Sequence, residues 1–250
     1  AKEAKNPQVS YPLSMLVSSG IILFIYIFGS LSIAFVVSPR DINLFAGLMQ
    51  AFTEFFTAFN LRPILPIVVF LAVVGSLAGI NTWIIGPAKG ILASAHYGFL
   101  PPWMQKTNKK GMPIGTLFVQ AIIASLLSMV FYFMPSVNAA FWIITALTVQ
   151  FAMIMYILIF CACIKLRYSQ PDQYRHYRIP GGKLGVWLVA GVGSLASSFA
   201  FFICYVPPSQ IDTGNIWFFE SFLLLGLIGL SLPPIYFIFF RKAHWQLKAL

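Results

Sequence analysis

The chain has 250 residues, of which 59% are hydrophobic and 9% charged, and its mean hydropathy is +0.85. Soluble domains carry about 25% charged residues, so a soluble globular fold is excluded and an integral membrane protein is expected. The net charge of +10 suggests a nucleic-acid partner only if the basic residues fail to sort by membrane side.

AKEAKNPQVSYP opens as a polar segment whose two prolines punctuate entry to a helix. No signal peptide is visible, and the lack of an initiator Met leads us to expect sequence upstream. A first span is expected over about 13–37. SPRD breaks it, and 42–59 follows as an amphipathic segment carrying Asn43, Gln50, Thr53, Glu54 and Thr57. That segment is too polar to span and is expected to lie at the interface.

The second span covers about 63–88 and contains the stretch around which the chain is organised, GSLAGINTWIIGPAKG from Gly75 to Gly90. At helical pitch Gly75, Gly79, Trp83, Gly86 and Gly90 fall within one arc of about 80°. Two readings stay open. Small residues at this spacing let a neighbouring helix approach closely in lipid, or the groove faces a substrate path that Trp83 and Thr82 line. Pro87 weakens the helix beyond, because its nitrogen cannot donate.

A basic loop, HYGFLPPWMQKTNKKGMP, leads to a third span over about 113–133, and a short turn leads to a fourth over about 139–164. On that fourth span Thr145, Ala152, Tyr156 and Cys163 share a face. Tyr156 either makes an interhelical hydrogen bond or contacts a polar solute. Asn81 and Gln150 are costly in lipid and are expected to face protein or a water-filled cavity. The polar stretch KLRYSQPDQYRHYRIPGGK precedes a fifth span over about 184–206, and PPSQIDTGN precedes a sixth over about 216–240.

Six spans place both ends on one side. Fourteen of the sixteen basic residues then share that side, leaving Arg40 and Arg62 opposite. Both ends are therefore expected to be cytoplasmic, and no nucleic-acid partner is needed. Cys161, Cys163 and Cys204 are read as buried small hydrophobes rather than a disulfide or metal set. His96, His176 and His244 have no metal-ligand spacing, and no GxSxG, HExxH or phosphate-cradling motif occurs. Convergent catalytic groups are missing, so no enzyme and no cofactor is expected. An intramembrane enzyme subunit and a non-transporting scaffold remain as alternatives from other classes.

Several stretches together carry a family resemblance. They are Glu3-x-x-Asn6-Pro7 with Tyr11-Pro12; Ile42-Asn43-Leu44 with Ala46-Gly47, Met49-Gln50 and Phe52-Thr53; and Trp83-Ile84 with Gly86-Pro87, Lys89 and Gly90. Leu100-Pro101, Asn108, Gly111 and Pro113 continue the set, and Ile179-Pro180-Gly181-Gly182-Lys183 and Pro207-Pro208 with Ile211 complete it. In this order they resemble the C-terminal half of a glutamate/γ-aminobutyrate antiporter of the amino acid–polyamine–organocation superfamily.

The resemblance implies an all-α transmembrane fold: six membrane-spanning helices plus one interfacial helix, in a single membrane domain over 1–250. This would be the second half of a 5+5 inverted-repeat transporter, with the N-terminal half of the same protein as its missing partner. It further implies exchange of amino acids by alternating access across a bacterial inner membrane. Trp83 and Tyr156 match aromatics that line the family's substrate path; Gly79, Thr82 and Ala152 are expected along that path with them, and Gly75, Gly86, Pro87 and Gly90 are expected to pack or kink the helix. Two positions depart from the pattern. Gly79 stands where the compared exchanger carries a glutamate, and Ala152 stands where an aromatic is expected.

Overall fold

The structure is a computed structural model that describes residues 7–36, 47–175, 177–207, 215–240 and 245. The expected contributions of Lys2, Lys5, Glu3, Asn6, Arg40, residues 42–46, His176, Ile211, His244, Arg241, Lys242 and Lys248 lie outside the described residues.

The described elements are helices: α1 (Pro7–Val36), α2 (Gly47–Ala58), α3 (Leu65–His96), α4 (Ile114–Ser128) and α5 (Val130–Phe133). They are followed by α6 (Val137–Ser169), α7 (Gly182–Val186), α8 (Val192–Ile203) and α9 (Ile216–Phe239). Six stretches are long and apolar enough to cross a membrane: Val9–Val36, Arg62–His96, Ile114–Phe133, Val137–Ser169, Gly182–Ile203 and Ile216–Phe239. The six expected spans are therefore present, with three differences.

First, α3 continues past Pro87 to His96. One missing donor does not end a helix where no water competes for the neighbouring carbonyls. Second, the third span breaks at Met129, between α4 and α5. Third, α7 and α8 are joined by a π-helical turn, Trp187–Gly191, an insertion that shifts the helical register by about one residue.

Contacts divide the chain into two compact units. Unit 1 holds Ala1–Leu61 and Thr148–Val206. Here α2 ends with Asn60 at φ 56°. The Leu61 amide donates to Phe56 O at 2.7 Å and the Asn60 amide to Thr57 O at 3.2 Å, the paired bonds of a left-handed helix stop. The α6 end is closed differently. Arg175 Nη2 donates to Leu166 O at 2.9 Å and Gln170 O at 2.7 Å, and Nη1 reaches Pro171 O at 3.4 Å and Gln173 O at 3.3 Å. A guanidinium thus satisfies the last carbonyls of the helix and opposes the negative end of its dipole. Trp187 Nε1 donates to Tyr168 Oη at 2.9 Å, and Lys183 Nζ lies 5.0 Å above the Tyr168 ring. A Cβ at Gly193 would lie 2.5 Å from the Phe160 ring, so α8 and α6 meet closely there.

Unit 2 holds Arg62–Leu147 and Pro207–Leu250. Its packed interior is formed by Ala139, Ala140, Ile143, Ala146 and Leu147 of α6 with Phe219 and Leu223 of α9, all buried. A Cβ at Gly226 would come within 2.9 Å of Leu147 Cδ2. A short 3-10 turn, Pro102–Gln105, packs on α3 and α4. A Cβ at Gly115 would sit 2.5 Å from its Trp103 carbonyl oxygen. The expectation that the cysteines are buried does not hold. Cys161 is exposed and Cys163 and Cys204 are half-buried, all three free, because the α6 face and the end of α8 beside which they lie are only partly covered within the chain.

Candidate functional site

The expected path residues fall on two helices. On α3, Gly79, Thr82 and Trp83 lie within one turn of each other. A methyl group added at Gly79 would meet no atom within 4 Å, and the same holds at Gly75, Gly86 and Gly90. The glycine face therefore packs against nothing among the described residues. Trp83 is 78% exposed on that open face. The buried residues of α3 are Ala88 and Ala95, near its other end.

Polar side chains of α3 bond their own helix. Ser76 Oγ donates to Ala72 O at 2.8 Å, Thr82 Oγ1 to Ala78 O at 3.0 Å and Asn81 Nδ2 to Leu77 O at 3.2 Å. Such back-bonding satisfies donors where lipid offers no partner. It leaves the Thr82 oxygen able to accept and the Asn81 carbonyl unused. Asn81 does not face protein within this chain, since it is exposed. Pro87 adds a third polar group: it has no N–H, so the Trp83 carbonyl lacks the donor that residue 87 would otherwise supply.

On α6, Ala152 and Tyr156 lie one turn apart. Tyr156 is 44% exposed, and its hydroxyl has no hydrogen-bond partner among the described residues. The interhelical bond that the sequence left open is thus not made there. Two residues before Ala152, and so on the opposite side of α6, is Gln150, fully buried. Among the described residues neither its Nε2 nor its Oε1 has a partner. It faces protein as expected, yet its amide is left unsatisfied, a costly arrangement in an apolar interior.

The sequence did not reveal the role of Arg175, which it counted only as a loop charge. Its cap depends on a loop folding back over α6, and the only local signal was a helix ending without a glycine stop. Among the described residues no group of three or more His, Cys, Asp or Glu gathers as a metal site would require.

Comparison with known proteins supplies the family. The amino acid permease family matches residues 1–228. The chain is 40% identical to an uncharacterized transporter of Legionella pneumophila, over 99% of this chain and 53% of that protein. It is 30% identical to a glutamate/gamma-aminobutyrate antiporter of Lactococcus lactis, over 97% of this chain and 49% of that protein. A D-serine/D-alanine/glycine transporter of Escherichia coli is 23% identical over 75% of this chain and 40% of its own length. The chain thus spans about half the length of the relatives it matches, and those relatives are transporters rather than enzymes. With six apolar spans beneath a match that covers residues 1–228, this multi-pass membrane chain belongs to the amino acid permease family.

Proposed function

We propose that the protein carrying this chain is an antiporter that exchanges an amino acid such as glutamate for its decarboxylation product, such as γ-aminobutyrate, by alternating access. The observation that carries the reading is the open glycine face of α3, with Trp83 standing out from it at 78% exposure. The Lactococcus lactis antiporter, at 30% identity over 97% of the chain, supports the substrate pair.

The chemistry suits a zwitterion. The Trp83 indole offers a π face to an ammonium group, and the Trp83 carbonyl released by Pro87 offers it an acceptor. Gly79 gives the solute room to pass. The Trp83 Nε1–H can donate to a carboxylate, and in unit 1 the exposed Tyr156 hydroxyl offers a donor of its own. Ala152, smaller than the aromatic expected there, leaves additional volume beside Tyr156. In this reading the remaining wall of the path comes from the N-terminal half of the transporter.

Counterflow tests the proposal. Liposomes holding the full-length protein and loaded with γ-aminobutyrate should take up radiolabelled glutamate, and unloaded liposomes should not. Uptake that ignores the internal amino acid would sink the antiport mechanism. Exchange of other amino acids but not glutamate would favour the second reading, a different amino-acid exchanger, which Gly79 supports by standing where the compared exchanger has a glutamate.

The same proposal places both chain ends in the cytoplasm of a bacterial inner membrane. In a background lacking Cys161, Cys163 and Cys204, cysteines introduced at Asn108 and Gln170 should resist an impermeant thiol reagent in intact cells. One at Asn60 should react. The reverse pattern would overturn the orientation. The same orientation puts Thr213 outside, a residue that lies beyond the described ones.

A further inference from the structure

Unit 2 holds a concavity that the transport reading leaves unused. The last turns of α3, the Pro102–Gln105 turn, the first turns of α4 and the end of α9 enclose about 500 Å3. That is within the range of roughly 300–1,000 Å3 common for small-ligand sites. Ile91, Phe99, Met104, Val119, Ile123 and Phe237 are among its walls. Ser94 brings the one hydroxyl among the described lining residues, and its Oγ already donates to Gly90 O at 3.4 Å. An amino acid entering here would give up hydration and find almost no side-chain partner, so the groove does not suit the transported solute. A hydrocarbon chain loses nothing by entering.

The groove lies at the basic end of the unit. Between the 3-10 turn and α4 the chain makes a tight hairpin. The Asn108 amide donates to Met112 O at 2.9 Å, and the Ile114 amide to Lys106 O at 3.1 Å. Asn108 Oδ1 accepts from the Lys110 and Met112 amides, each at 2.9 Å, and Gly111 takes φ +73° to close the turn. Gln105 Nε2 ties this region to the segment after α9, through Trp245 O at 2.8 Å. Lys106, Lys109 and Lys110 are therefore carried, exposed, on a built turn rather than on a slack loop. The described acid of unit 2, Glu220, lies near the start of α9, at the opposite end from this turn.

We propose that this groove seats an acyl chain of an anionic phospholipid, with its phosphate held by the turn that carries Lys106, Lys109 and Lys110. Two features of different kinds meet here. The walls are apolar along membrane-spanning helices, and fixed cations stand where those helices end. Lysines beside an anionic membrane surface each strengthen association by roughly fivefold, so three of them discriminate strongly between headgroups.

The test uses the full-length protein, purified and delipidated, then titrated with phosphatidylglycerol or phosphatidylcholine of matched chains, with bound lipid counted by native mass spectrometry. Phosphatidylglycerol should be retained at least about tenfold more tightly, and added salt should erode that margin. The combined Lys106→Ala, Lys109→Ala and Lys110→Ala variant should bring the two lipids to parity while keeping both bound. Ile123→Trp should fill the groove and abolish retention of either. Val119→Phe fills less and should weaken both, which keeps the test open if Ile123→Trp does not fold. Three outcomes overturn the proposal: equal retention of the two lipids by the unaltered protein, a headgroup preference that survives loss of the lysines, or indifference to both groove-filling variants. The last would mean that another segment of protein occupies the groove. Complete release of both lipids by inorganic phosphate alone would also overturn it, since the acyl chain would then contribute nothing.

Discussion

The glycines of α3 and two others in unit 2, Gly115 and Gly226, look alike in sequence and behave in opposite ways. At Gly115 a Cβ would lie 2.5 Å from the Trp103 carbonyl oxygen, and at Gly226 it would lie 2.9 Å from Leu147 Cδ2. At Gly75, Gly79, Gly86 and Gly90 it would meet nothing within 4 Å. The first pair lets backbone and core pack closely, which is the common use of small residues between membrane helices. The α3 set, despite its better helical spacing, has no such neighbour among the described residues. Spacing alone therefore identifies a groove but not its occupant. What decides the matter is whether a facing element brings bulk into the groove, as Leu147 does at Gly226.

The largest expected effects come from bulk added on either side of this comparison. Gly115→Leu pushes a side chain into a backbone carbonyl that cannot rotate away, and Gly226→Leu crowds the buried Leu147. Each should destabilise the fold by ~1–3 kcal/mol or more and lower the yield of monodisperse protein. Gly79→Leu should leave thermal stability in detergent unchanged while cutting exchange in liposomes by about tenfold or more, a barrier of about 1.4 kcal/mol. Equal loss of stability at Gly79 and Gly226 would erase the distinction and return the α3 face to plain packing.

A second expectation concerns Gln150 of unit 1, fully buried with neither amide atom partnered among the described residues. Replacing an unsatisfied buried amide with a hydrocarbon of similar size removes a desolvation penalty of about 1–3 kcal/mol. Gln150→Leu should therefore raise the unfolding temperature. If it lowers the temperature instead, the amide has a partner in the assembled transporter.

The six spans could be read directly, because an apolar run of sufficient length has few alternatives in a membrane protein. Their ends could not. Hydropathy falls where a helix leaves the membrane, yet α3 continues to His96 and α6 to Ser169, since backbone hydrogen bonding does not stop at the interface. The π-helical turn at Trp187–Gly191 escaped for another reason: one extra residue barely perturbs the periodicity of a helix that is apolar on most sides. Of the candidate site, the glycine face and its indole were legible from spacing. The open space beside Gly79, the unpaired Tyr156 hydroxyl and the orphaned Gln150 amide were not. They depend on what does or does not arrive from elsewhere in the chain.

Trp83→Ala should have a smaller effect. If the indole holds an ammonium group over its face, its loss removes about 0.5–2 kcal/mol, which corresponds to a rise of roughly two- to thirtyfold in the apparent KM for exchange. The maximal rate should change less, and the stability not at all, because the side chain is 78% exposed. A fall in folded yield without a change in KM would show that Trp83 is covered by another part of the transporter and acts by packing.

The smallest and most discriminating expectation is for Gly79→Glu. Sterically the position accepts a side chain, because nothing lies within 4 Å of the added Cβ. Electrostatically the outcome depends on what fills that space. A carboxylate at the middle of a lipid-facing helix costs about 2.5–3.5 kcal/mol, enough to reduce insertion and yield. In a watered path the same group keeps most of its hydration and costs far less. The glycine face as a solute path therefore predicts that Gly79→Glu inserts and folds like the unaltered protein. The new carboxylate, one turn from the Trp83 indole, would attract the ammonium end of a substrate and repel a second carboxylate. Exchange should persist with a shift of a few-fold in the preference between γ-aminobutyrate, which has one carboxylate, and glutamate, which has two. Competition of each amino acid against labelled glutamate gives that ratio directly. A variant that fails to insert would place Gly79 against lipid. One that folds normally with an unaltered preference would place it in a wet crevice that the substrate does not enter.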